Sequence, residues 1–168
     1  KIVDTKGLRN ETPLTQEQMD ELREYAISLG FDEDKIEFLG PDSTSKTSIF
    51  GDELLLINND VLPVSNGTTN PNSLISGKGS IAHEVIGHYE TVKKGTAFNQ
   101  IEFINNDFIP NYRNIALDEA QASIRAARFA PGLTDSERMT LLRDGIQRLK
   151  NENILLRDVK HLLDINAR

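Results

Sequence analysis

His83-Glu84-Val85-Ile86-Gly87-His88 is the stretch whose reading decides the fold. It uses two of the chain's three histidines, and it reads as a metal clip of the H-E-x-x-H type. In that pattern two imidazoles stand at positions i and i+4 of an α-helix, about 40° apart around the axis and one turn removed. Both then grip one ion from the same side, and the glutamate next to the first ligand holds a water on it. His83 and His88 are therefore expected as metal ligands and Glu84 as a general base.

The flanking residues predict a helix. Ile81, Ala82, Val85, Ile86 and Tyr89 recur at helical spacing and give one apolar face. Lys93 and Lys94 fall in the last turn, where cations favour the helix dipole, and Gly95 suits the position after the C-cap. Asn72 or Ser73, after Pro71, is expected to cap the start. Gly87 inside the motif costs about 1 kcal/mol relative to alanine, which points to close approach of another backbone.

A catalytic zinc takes three protein ligands and leaves a fourth position open. No G-x-x-H follows His88, so the three-histidine extension is absent. His161 lies beside Leu162 and Leu163 and is expected to be packed or solvent-facing. A carboxylate is the better candidate. The segment from Asn114 to about Ala130 is strongly helical, with Leu117, Ile124 and Ala127 as a core stripe and Gln121, Arg125 and Arg128 as a polar one. Glu119, Ala122, Ser123, Ala126 and Ala130 form a third face of small residues and one acid. Small residues let helices pack closely, so this face is expected to press Glu119 against the histidine helix. Asp118 is the second candidate, about 100° away around the axis. It is expected instead to be a solvated carboxylate near the helix start. Tyr112, Arg113 and Tyr89 are candidates for stabilising an oxyanion, with Tyr112 preferred and Tyr89 read as core.

Composition narrows the class. The chain has 168 residues, suited to one domain with one core, and no cysteine. A net charge of −7 makes nucleic acid a poor partner. No apolar run is long enough to span a bilayer. Asn10-Glu11-Thr12 and Asn66-Gly67-Thr68 match the glycosylation pattern. With no signal peptide and no cysteine, both are read as chance.

The remaining segments give the layout. Thr15-Gln16-Glu17-Gln18 and Thr134-Asp135-Ser136-Glu137 are capping boxes that open helices ending near Gly30 and Lys150. Ile36 to Leu39, Thr47 to Phe50 and Glu53 to Ile57 read as strands, with Gly51-Asp52 as a II′ hairpin turn. Glu53 to Asn58 reads either as an edge strand for pairing with an extended substrate or as an internal strand with no free edge. Asn58 to Ser73 is a loop leading into the histidine helix. Thr96 to about Tyr112 is too apolar for a free loop and is expected to fold over the core. Ile154 to Ile165 reads as a last short helix.

Two longer resemblances sit on these residues. Glu119-Ala120-Gln121-Ala122-Ser123 resembles the E-x-x-A-D pattern of glutamate-type zincins, which implies Glu119 as the third zinc ligand. Ser123 departs from it, standing where an aspartate would orient a ligand histidine. Asn58 to Pro63, Ala82 to His88 and Asp118 to Thr134 together resemble the C-terminal zincin-like toxin domains of bacterial Rhs/YD-repeat polymorphic toxins, over more than half the chain. The resemblance implies an α+β, zincin-like fold: a small, mostly antiparallel sheet packed on a metal-binding helix, with a helical C-terminal part. It implies a Zn2+-dependent metallopeptidase effector, residues 1–168 forming its single domain. Such an effector is released from a secreted carrier, acts on a protein or peptide in the cytoplasm of a target cell and has a cognate immunity protein. The Lys1 start agrees with a fragment of a larger protein. The competing readings are a zincin-fold module that acts by protein binding, and a metal-dependent amidase on cell-wall peptides.

Overall fold

The structure is a computed structural model that describes residues 9–10, 12–64 and 70–168. Asn66-Gly67-Thr68, Glu11 and Lys1 lie outside the described residues. The chain is α+β, with two small sheets and most of its length helical.

Helix α1 (Gln16–Ser28) starts on the predicted capping box: the Thr15 hydroxyl accepts from Gln18 N, and the Gln18 side chain accepts from Thr15 N. Its buried face, Leu22, Tyr25 and Ala26, packs on the histidine helix. The first sheet holds β1 (Ile36–Phe38), β2 (Ser48–Phe50) and β3 (Leu54–Ile57) in the order β1-β3-β2. β1 runs parallel to β3, pairing Ile36 with Leu55, and β2 runs antiparallel, pairing Ser48 with Leu56. β3 is therefore the central strand, which decides for the internal of the two readings of Glu53 to Asn58. Its Leu55 and Ile57 are fully buried with Ile81, Val85 and Ile86, and an apolar strand that feeds the core this way gains by pairing on both sides. The edge lying against the histidine helix is β2. The turn before β3 has positive φ at both Gly51 and Asp52, the I′ arrangement rather than II′.

Residues 77–94 form one continuous helix in three parts: α2 (Gly77–Ala82), a π-helical segment (His83–Tyr89) and α3 (Glu90–Lys94). Its N-cap is Ser76, whose hydroxyl accepts from Gly79 N and donates to the Glu137 carboxylate. Asn72 and Ser73 do not cap it, because Pro71–Leu74 is a separate 3-10 turn capped by Asn70. Gly95 ends the helix in the left-handed conformation, at φ +74.

The segment after it packs on the core through Phe98, but from Ile101 to Pro110 it does not fold over it. β4 (Ile101–Ile104) and β5 (Asp107–Pro110) form a hairpin around Asn105-Asn106, both at positive φ, and every residue of both strands is exposed. Register puts Ile101, Phe103, Phe108 and Pro110 on one face, with the two phenylalanine rings 5.1 Å apart. The Asn-Asn turn favours this tight reversal, and the ladder takes the polar backbone away from the core instead of burying it.

Helix α4 (Tyr112–Phe129) crosses the π segment, and α5 (Asp135–Asn151) packs along α4. Gly145 permits that approach, since a Cβ there would lie 3.1 Å from Ile124 Cγ1 and 3.2 Å from Ala120 O. Of the polar stripe, Arg128 is exposed, whereas Gln121 and Arg125 are fully buried. The C-terminal segment covers these two, supplying carbonyls of Asp164 and Ala167 to Arg125 and the Asp164 N–H to Gln121. Beyond α5 only α6 (Leu156–Val159) and a 3-10 turn (Lys160–Leu162) are helical, shorter than the predicted Ile154–Ile165 helix. Among the described residues no helix is long and apolar enough to cross a membrane.

Candidate metal centre

Counting corrects the motif. Three residues separate Glu84 from His88, so the stretch is H-E-x-x-x-H and the histidines are five apart. In an α-helix that spacing would set them about 140° apart, on different faces. The π segment removes the difficulty. Its backbone bonds run from i to i+5, as from Glu90 N to Val85 O, and residues five apart return to one side. The two rings meet edge to face, with centroids 4.7 Å apart and Nε2 atoms 3.0 Å apart.

Side chains of neighbouring elements bond the carbonyls of this wide turn. The Arg125 Nε donates to Ile86 O, and the Thr91 hydroxyl bonds Gly87 O and His88 O. Arg125, fully buried, is held in turn by Glu90 and the C-terminal carbonyls. Gly87 faces Ala122 of α4 at backbone contact, the close approach to which its glycine points.

Helix α4 brings Glu119 to the histidines. Glu119 Oε2 lies 2.9 Å from His83 Nε2 and 3.1 Å from His88 Nε2. Donor counting fixes what these atoms are. The Ser123 hydroxyl has one hydrogen and gives it to Asp144 Oδ2, at 2.6 Å. Ser123 Oγ must then accept from His83 Nδ1, at 2.8 Å. His83 Nδ1 therefore carries a proton, and in the neutral ring Nε2 presents a lone pair. His88 Nδ1 faces the Asp118 carboxylate at 3.3 Å, which orients it the same way. Two lone pairs and a carboxylate oxygen converge within 3.1 Å, an arrangement that repels itself unless a cation sits among them. Four-coordinate zinc with bonds of about 2.0–2.1 Å separates its ligand atoms by roughly 3.3 Å, so these separations fit such an ion to within a few tenths of an ångström. Donor atoms of His83, Glu84 and His88 also lie within 4.8 Å of one another.

The support behind the histidines differs from the sequence-based expectation in two ways. Asp118 is not solvated. It is 5% exposed and accepts from Phe98 N and Gln100 Nε2 as well as facing His88. The reason is that α4 begins at Tyr112, so Asp118 lies inside the helix, under the chain that enters the hairpin. Second, the carboxylate missing at Ser123 is supplied from α5, where the buried Asp144 acts through the serine hydroxyl. Arg148, one turn on, closes a ring: its Nε donates to Asp144 Oδ2 at 2.9 Å, and its Nη1 lies 3.5 Å from Glu119 Oε2. Asp144 and Arg148 were legible in sequence only as an i, i+4 pair on a helix; nothing there tied them to His83.

Electrostatics follow from this crowding. Burial works against the charged form of His88, but Glu119 and Asp118 outweigh it and raise its pKa well above the ordinary imidazole value. Burial alone would lift the Glu119 carboxyl; His88 and His83 overcome it and hold Glu119 well below the usual range. Burial pushes the Glu84 carboxyl up, against the pull of His88 and His83.

Glu84, His83 and Glu119 open onto a cavity of about 510 Å³ that also meets Lys46, Asp60, Asn72 and Arg148. Tyr112 does not line it. Exposed at the start of α4, it borders a smaller cavity of about 150 Å³ with Ile115, Ala116, Glu119 and Arg148. Arg113 is exposed, Tyr89 packs on Phe31, and His161 is exposed in the 3-10 turn, away from the site. No protein-family model, curated protein or solved structure matches the chain.

Proposed function

We propose that the protein is a zinc-dependent metallopeptidase of zincin-like design, with His83, His88 and Glu119 as ligands and Glu84 as general base. The observation that carries this is the convergence of His83 Nε2, His88 Nε2 and Glu119 Oε2 within 3.1 Å, with both imidazole protons directed away from that point. The mixed imidazole and carboxylate set suits zinc. A bound ion would supply Lewis acidity, polarising a substrate carbonyl and lowering the pKa of water. Glu84, adjacent to the first ligand, takes the proton of the attacking water and passes it to the leaving nitrogen. Ser123 and Asp118 hold the two imidazoles in the ligand tautomer.

The resemblance of the Asp118–Thr134 block to polymorphic-toxin domains supports reading the chain as an effector delivered by a larger carrier, with an immunity protein as partner. The extra residue between Glu84 and His88 departs from the H-E-x-x-H zincin pattern, and the π segment is what compensates for it.

The test is metal analysis combined with hydrolysis of a peptide library. Wild type should retain close to one zinc per chain, and chelation should stop cleavage. Glu84→Gln should keep the zinc and lose hydrolysis by about a hundredfold or more. Full activity in Glu84→Gln, or after chelation, would remove the mechanism. The exposed apolar hairpin favours one second reading, a module acting by protein contact. A biological effect that survives both treatments would support it.

A further inference from the structure

The cleft in front of the proposed centre has an unusual lining for a site that takes peptides. Of its lining residues only Ile75 is a large apolar one; the rest are dominated by charged and amide side chains. Four acids and three bases face it, and their commitments differ. Asp60 receives Thr47 N and the Thr47 hydroxyl. Asp144 receives Ser123, Arg148 and Asn72. Glu119 is turned to the histidines, which leaves Glu84, the proposed base. Among the cations, Arg9 is spent on carbonyls of Asp60, Val61 and Ile75 and on the Ser80 hydroxyl.

Arg148 and Lys46 are not spent. Arg148 uses Nε on Asp144 and approaches Glu119 with Nη1, while its Nη2 donates to none of the described residues. Lys46 is exposed and makes no hydrogen bond or ion pair with them. Among the ionisable groups of the cleft, the uncommitted donors are thus these two cations, and the uncommitted acceptor is Glu84, the group the chemistry uses. Arg148 also stands where the large polar cavity and the small one lined by Tyr112, Ile115 and Ala116 meet. A chain laid across the centre would carry its charge into the large cavity and a small apolar side chain into the other.

We propose that the substrate is an acidic peptide, its carboxylate held by Arg148 and Lys46 in the large cavity and a small apolar residue seated beside Tyr112 and Ile115. This rests on reading the centre as a peptidase. The chain's overall charge of −7 repels such a ligand at long range, so the attraction has to come from these two local cations.

The test uses zinc-loaded Glu84→Gln protein and three fluorescent decapeptides, alternating Ala with Glu, Gln or Lys. The Glu peptide should bind about tenfold or more tightly than the Gln peptide, and the Lys peptide weakest. Adding Lys46→Glu, at an exposed position that leaves folding intact, should erase the preference; Arg148→Gln should weaken the Glu peptide further. Equal affinity for all three peptides, or an undiminished preference in the Lys46→Glu protein, overturns the proposal. Cleavage by wild type separates the two readings. Hydrolysis without preference for acidic peptides keeps the peptidase and sinks the acidic substrate. Selective, Lys46-dependent binding of the Glu peptide with no cleavage of any peptide keeps the acidic ligand and sinks the peptidase.

Discussion

Gly87 lies so close to Ala122 that a Cβ placed on it would stand 2.6 Å from the Ala122 Cβ and 2.7 Å from its Cα and carbonyl oxygen. Two of those three atoms are backbone and cannot turn aside. The contact seats the π segment on α4 and so sets how far Glu119 stands from the histidines. Glycine in a helix interior ordinarily loses about 1 kcal/mol to alanine, so on propensity alone Gly87→Ala should stabilise. We expect the reverse: a loss of about 1–3 kcal/mol from overpacking, with zinc affinity falling as well. Urea unfolding and zinc competition measure the two effects. Pairing it with Ala122→Gly should recover only part, because the backbone atoms remain. A Gly87→Ala protein as stable as wild type, with zinc retained, would show that the helices can separate at no cost.

Ser123 sits between His83 and the buried Asp144. Removing its hydroxyl leaves two buried polar groups without their partner, which costs about 1–3 kcal/mol and should weaken zinc binding by about 10–100-fold. Ser123→Asp restores the E-x-x-A-D pattern, yet we expect it to be worse than wild type. It places a second carboxylate beside Asp144, and like charges that close cannot both ionise. The double change Ser123→Asp with Asp144→Ser should recover much of the loss. Thermal unfolding and zinc titration of the three proteins decide it; a Ser123→Asp protein that binds zinc more tightly than wild type would refute the relay.

Glu119 and Asp118 are neighbours with different roles. Glu119→Ala removes a proposed ligand and should abolish stoichiometric zinc. Asp118→Ala removes only the group that orients His88 and should lower affinity by about 10–100-fold while leaving one zinc at saturation. Metal content by mass spectrometry at saturating and limiting zinc distinguishes them. Full zinc content in Glu119→Ala at limiting metal would reassign the third ligand.

Asp164 ties the C-terminal segment to Lys94, Thr96 and Arg125. Burial would raise its carboxyl, but Lys94, Thr96 and Arg125 prevail and hold it below the usual aspartate range. A depressed folded-state pKa means that its contribution is fully present above the unfolded value and is lost as pH falls through the folded one. Asp164→Asn should therefore be less stable than wild type at neutral pH, and the gap should narrow below about pH 4. Unfolding midpoints measured across that range test the sign; a constant gap would mean that the ionised form contributes nothing.

Much of the local structure was legible in the chain. The capping boxes at Thr15 and Thr134 depend on residues three apart, and Gly95 ends its helix by a conformation glycine adopts freely. The small-residue face of α4 foretold a close helix contact, since residues such as Ala122 leave room for one. The hairpin is not legible when apolar content is equated with burial, although Asn105-Asn106 carries a turn signal.

By itself, then, the sequence determined which side chains were available to a metal and which helices would carry them, because donor chemistry and helical periodicity are properties of residues a few positions apart. It did not determine that the histidines meet. At a spacing of five they diverge in an α-helix, and only the packing of the π segment against α4, with Arg125 and Thr91 bonding its carbonyls, holds the wider turn. Nor did it determine the support behind His83, since Asp144 reaches Ser123 from another helix, 21 residues on. Contacts of that kind are made by packing, and a single sequence carries no local signal of them.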